Sequence, residues 1–222
     1  MIPIRDHNPS GRIPFITYGL IALNVWVFWQ MFTISPTGLD SLINQYSLIP
    51  AQLSQTHNYL PLLTHMFLHG GFGHIIGNML FLHIFGDNLE DHLGHITFLV
   101  WYLLCGLAAA LLQIAINPTS TLPLLGASGA IAGVMGGYLL LFPKERIDLL
   151  FTFGFWIDTI TLPAYTMLFY WFFAQALSGY GSLAFASDAS LGGVAYFAHI
   201  GGFLAGFLSL IPFRSQILRH RV

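Results

Sequence analysis

The sequence predicts an all-α membrane protein, a bundle of six transmembrane helices forming one domain over residues 1–222, with both termini in the cytoplasm. Three observations carry this. Of the 222 residues, 55% are hydrophobic and 7% charged, against roughly 25% charged in soluble domains, so the chain cannot coat a water-facing surface. Apolar stretches near the length of a span, about 20 residues, recur six times. The seven Lys and Arg residues all fall on one side of that six-span arrangement. Arg5 and Arg12 precede the first stretch, Lys144 and Arg146 separate the fourth from the fifth, and Arg214, Arg219 and Arg221 follow the sixth. The positive-inside rule assigns that side to the cytoplasm. A net charge of −2 without a basic run excludes nucleic acid as a partner. The lone Cys105 excludes an intrachain disulfide and a cysteine-based zinc cluster.

The elements follow in order. The first span, 13–34, starts after Arg12 and is too long, and too poor in small residues at its end, for a removable signal peptide. Residues 35–71 mix apolar groups with His57, His65 and His69, which predicts a loop lying partly in the interface. The second span, 72–89, runs to acidic residues beginning at Asp87, and the third covers 96–116. The fourth, 126–142, stops at Pro143 and Lys144. Residues 147–159, "IDLLFTFGFWIDT", are apolar but carry Asp148 and Asp158, and are expected to be an interfacial segment leading into the fifth span, 160–180. Within that span "FYWFF", Phe169 to Phe173, is expected to face lipid or anchor at the interface. The sixth span, 192–213, ends at Arg214.

Polar groups inside such spans are costly and mark function by default. Ser128 stands 15 residues before Pro143, and His199 15 residues before Arg214. At the helical rise each lies about 22 Å above the inner boundary. His74, 13 residues before Asp87, lies at about 20 Å. Asn78 is one turn from His74 on the same helix face, and its side chain leans back toward the same plane. Four polar groups from three helices thus share one depth in a core about 30 Å thick.

Small residues let two of these helices meet. Ser128, Ala132 and Gly136 form one stripe, with Gly129, Gly133 and Gly137 beside it; Ala195, His199, Gly202 and Gly206 form another. Such faces allow close backbone approach. That contact alone explains a serine in a helix; the further expectation is that it sets the Ser128 hydroxyl against the His199 imidazole. A serine hydroxyl is a weak nucleophile until a base takes its proton, and His199 is the natural base. No carboxylate occurs at this depth in the fourth or sixth span, so a Ser–His dyad fits better than a triad. The oxyanion formed on attack needs aligned donors, and the N–H groups at the start of the Ser128 helix supply them. His74 and Asn78 add side-chain donors.

"GASGAIAG" and "AHIGGFLAG", preceded by "HGGFGHIIGNMLFL", resemble the motifs of rhomboid intramembrane serine proteases, and the opening "IPIRDHNPSGRIPFITYGLIALNV" is similar to that of many prokaryotic members. The resemblance covers nearly the whole chain. It implies a rhomboid-like bundle with Ser128 as nucleophile, His199 as general base, His74 and Asn78 in the oxyanion site, and Gly126 at the small position two before the serine. It also implies single-span membrane proteins as substrates, cut near the outward end of their helix beside a small residue, and a prokaryotic plasma membrane as the location. The fifth span and the loop before the sixth would act as gate and cap. Two departures stand out: Ala132 occupies the place where some rhomboids stack a tyrosine on the histidine, and the first outer loop lacks their arginine.

Other chemistries fit less well. "HMFLH", His65 to His69, has the spacing of a helical zinc pair, but Met66 stands where HExxH needs its glutamate. His65 and His69 are therefore expected to bond loop backbone or shape the site, with no metal or other cofactor. A GxSxG elbow would need glycine in place of Ala130. A non-catalytic rhomboid-like binder of membrane helices is disfavoured because both Ser128 and His199 are present. No feature of the sequence specifies an oligomeric state.

Overall fold

Glu90 ties the start of the chain to its first long helical pair. In the computed structural model, which describes residues 2–153, 156–184 and 195–219, its two carboxylate oxygens accept from the N–H groups of Ile16 and Thr17 and from the Thr17 hydroxyl, at 2.7–2.8 Å. The two N–H groups are orphan donors of α1 (Phe15–Thr33), and an anion at a helix N-terminus also complements its dipole. The carboxylate is almost wholly buried, and satisfying it this way docks α1 on α5 (Phe72–Leu93), which carries it.

Between those helices the chain makes three short ones, α2 (Pro36–Tyr46), α3 (Pro50–Thr56) and α4 (Pro61–Thr64), each opened by a proline at a position that lacks an intrahelical donor role. The expected interfacial loop is thus largely helical. α6 (His95–Ile116), α7 (Ser128–Leu141), α8 (Ala164–Ala184) and α9 (Tyr196–Leu210) follow, with a short α10 (Arg214–Arg219) at the end. α1, α6 and the helical stretch Tyr196–Arg219 are each long and apolar enough to cross a membrane. α7 is shorter and apolar; its residues from Gly129 to Leu139 are all buried, so the other helices enclose it. The first turn of the expected sixth span, 192–194, lies outside the described residues.

The fold is mostly helical, and the all-α expectation is corrected at one place. Residues expected to form an apolar interfacial segment instead make β2 (Arg146–Phe153) and β3 (Trp156–Pro163), an antiparallel pair joined by β1 (Ile2–Asp6) in the order β1-β2-β3. Alternation explains it: Ile147 and Leu149 are fully buried, while Asp148 points the other way to Arg5 at 3.4 Å, His7 at 2.9 Å and Thr161 at 2.7 Å. The hydrogen bonds from Thr161 and His7, with the positive charge of Arg5, hold the Asp148 carboxyl below its ordinary range. Helix α8 therefore starts at Ala164, after Pro163, rather than at 160; Glu145 and Pro143 carbonyls accept its first N–H groups.

The aromatic run of α8 divides between two environments. Phe169, Tyr170 and Phe173 are exposed, as expected of a lipid-facing stripe. Trp171 and Phe172 turn inward, both against Phe203 of α9.

Candidate active site

The placement of Ser128 begins with Gly126. Its φ of +125° is a conformation that favours glycine, and its N–H donates to the His65 carbonyl at 2.9 Å. A Cβ here would lie 2.7 Å from His74 Nε2 and 3.6 Å from Asn78 Nδ2, so the missing side chain is the space in which these two polar groups approach the chain just before Ser128. Helix α7 then opens at Ser128. The N–H of Ile131 bonds the Ala127 carbonyl at 3.0 Å, so the N–H groups of Ser128, Gly129 and Ala130 precede the helical ladder.

Helix α9 meets α7 backbone to backbone. A Cβ on Gly202 would overlap the Gly129 carbonyl, one on Gly206 the Gly133 carbonyl, and one on Gly136 the Phe203 carbonyl. The two small-residue stripes face each other, and the approach brings His199 Nε2 to 2.8 Å from Ser128 Oγ. The adjacent Ala198 N–H donates to Gln113 Oε1 of α6 at 3.2 Å.

On the far side of the imidazole, His199 Nδ1 lies 2.7 Å from Gln175 Oε1 of α8. The Trp171 ring, one turn earlier on that helix, is tilted against the imidazole with centroids 5.7 Å apart. Trp171 belongs to the run expected to face lipid or anchor at the interface, so its place against His199 corrects that expectation, and Gln175 did not stand out in the sequence. Gln175 lies in a long, mostly apolar helix whose other polar side chains are hydroxyls, and the only available signal was its being the one amide there.

His74 and Asn78 stand on one face of α5, as their spacing predicts. Asn78 is buried, and its Nδ2 donates to His69 Nε2 at 2.9 Å. His69 and His74 rings meet edge to face with centroids 5.1 Å apart, and the Gly70 N–H points to His74 Nδ1 at 3.5 Å. His65 Nδ1 donates to the Pro61 carbonyl at 2.8 Å. His65 and His69 do not share a helix, because the chain is extended at Leu68; the zinc-pair geometry suggested by their spacing is not formed. The five residues singled out from the sequence, Ser128, His199, His74, Asn78 and Gly126, therefore lie in one connected cluster. The loop expected to cap it, 181–191, begins with the last residues of α8, to Ala184, and from 185 lies outside the described residues.

Chemically, this is a hydroxyl aligned on one imidazole nitrogen, an acceptor on the other, and main-chain N–H groups that precede the helical ladder beside the hydroxyl. A family model described as the rhomboid domain matches residues 56–216 of this chain. "Rhomboid protein 1, mitochondrial" of Saccharomyces cerevisiae is 30% identical over 203 residues, covering 87% of this chain and 51% of that protein. "Rhomboid protease GluP" of Bacillus subtilis is 28% identical over 197 residues, covering 88% of this chain and 34% of that protein. "Putative rhomboid protease YdcA", also of Bacillus subtilis, is 30% identical over 151 residues, covering 65% of this chain and 73% of that protein. The chain spans about half the length of the yeast protein and about a third of GluP.

Proposed function

This chain belongs to the rhomboid family, and from that premise we propose that it is an intramembrane serine endopeptidase working through a Ser128–His199 dyad. One observation carries the proposal: the 2.8 Å contact between Ser128 Oγ and His199 Nε2, made across two helices that nothing else requires to carry polar groups at the same point. The Ser128 oxygen attacks the carbonyl carbon of a scissile peptide bond while His199 Nε2 takes the hydroxyl proton. The oxyanion is met by the N–H groups at the start of α7 and by the side chains of His74 and Asn78. Collapse of the tetrahedral intermediate breaks the C–N bond, and His199 returns the proton to the leaving amine. Water, activated by the same imidazole, then cleaves the acyl ester and restores Ser128.

The remaining parts of the proposal are the substrate and the setting. Substrates are single-span membrane proteins cut near the outward end of their helix. The chain crosses the membrane six times with both termini in the cytoplasm, an orientation supported by the clustering of its Lys and Arg residues. The host membrane is a prokaryotic plasma membrane, supported by the two Bacillus subtilis relatives and by the opening motif.

The test is cleavage of a model transmembrane substrate by purified protein in detergent, with the cut site read by mass spectrometry. Wild-type protein should cleave without added metal and in the presence of a chelator, and Ser128→Ala should not cleave. Chelator-sensitive cleavage that survives Ser128→Ala would replace the serine mechanism with a metal-dependent one.

A further inference from the structure

We propose that Gln175 is a positioning residue for His199, so that helix α8 sets the alignment of the general base; this rests on the dyad reading above. A neutral imidazole carries its proton on one nitrogen and a lone pair on the other. For Nε2 to take the Ser128 proton, the imidazole hydrogen must sit on Nδ1, where an acceptor selects that tautomer. Gln175 Oε1, at 2.7 Å, is that acceptor. Trp171, one turn away on the same face of α8, lies against the imidazole ring and limits its rotation.

Charge explains why an amide does this work. Helices α6, α7, α8 and α9 carry no Asp, Glu, Lys or Arg between their first and last residues. A carboxylate would have to be held ionised among apolar helices, which is costly; an amide oxygen accepts the same proton without net charge. Among the described residues, the titratable group that acts on His199 from another element is His74 of α5. The neighbouring polar groups from α6, α7 and α8 are Gln113, Ser128 and Gln175. A second consequence concerns motion: because the acceptor belongs to α8 and the base to α9, any displacement of α8 away from α9 removes the tautomer-selecting contact.

Two variants test this in the cleavage assay, with Ser128→Ala alongside. Gln175→Leu keeps the approximate volume but removes the acceptor. It should lower kcat by about tenfold, the value of one hydrogen bond lost from the reacting state, with KM within twofold of wild type. Gln175→Glu keeps an acceptor oxygen whether its carboxyl is neutral or ionised. It should recover kcat to within about twofold of wild type, because the carboxyl's C=O accepts from Nδ1 as the amide oxygen does. Melting temperatures in detergent confirm that both variants still fold. Wild-type kcat in Gln175→Leu, or a kcat in Gln175→Glu as low as that of Gln175→Leu, overturns the positioning role while leaving the dyad intact. Cleavage that persists in Ser128→Ala overturns the dyad and this inference together.

Discussion

Gly202 of α9 lies so close to the main chain of Gly129 in α7 that any side chain on Gly202 would overlap the Gly129 carbonyl. One residue before Gly129 is Ser128, and three residues before Gly202 is His199, so this backbone-to-backbone contact sits directly beside the hydroxyl–imidazole pair.

Gly202→Ala should therefore act on both stability and chemistry. The atom that a new methyl group meets is backbone, which cannot swing aside, and overpacking of this kind costs about 1–3 kcal/mol. The melting temperature in detergent should fall, and cleavage should fall with it as α9 is pushed from α7. Gly19→Ala on α1 is the matched control. A Cβ there meets nothing within 4 Å, and the change should stay within about 0.5 kcal/mol. Equal effects from the two substitutions would remove close packing as the reason for the stripe.

Asn78 faces the backbone just before Ser128 while its amide donates to His69. If this amide is an oxyanion donor, Asn78→Ala should lower kcat by roughly 10²–10³ with a much smaller change in KM. Steady-state kinetics on a fluorogenic transmembrane substrate measure this, and an unchanged kcat would take Asn78 out of the oxyanion site.

Asp6 of β1 accepts a hydrogen bond from Tyr138 of α7 at 2.8 Å. Burial raises its carboxyl from 3.8 to about 6, with the Tyr138 bond opposing the shift and the nearby Asp87 adding to it. A carboxyl whose folded pKa is raised contributes stability that is full below the unfolded value and is lost as pH rises through the folded one. The melting temperature should thus lose an Asp6-dependent increment between about pH 4 and pH 6. Asp6→Asn should flatten that part of the profile. An unchanged slope in Asp6→Asn would mean that Asp6 titrates normally.

Much of the site was legible because helical periodicity is local. The meeting of α7 with α9 follows from glycines and alanines recurring every three or four residues, and the pairing of His74 with Asn78 from a four-residue spacing. Gln175 was not legible, since which residue of α8 faces His199 depends on how two helices pack, and a single amide has no partner in sequence to announce it. His69 drew notice as a possible zinc ligand; its bond to Asn78 depends on the extended turn at Leu68, which reverses the spacing argument. The sheet escaped for a related reason. Alternation around Asp148 is short and interrupted by apolar runs, and its pairing with Ile2–Asp6 spans more than a hundred residues of chain.

The central claim is that Ser128 is a nucleophile made reactive by His199. The most direct measurement is labelling of the detergent-solubilised protein with a fluorophosphonate, followed by mass-spectrometric mapping of the adduct. The adduct is expected on Ser128, and His199→Ala protein should remain unlabelled. An adduct on any other serine, or equal labelling of Ser128 in His199→Ala, would contradict the account.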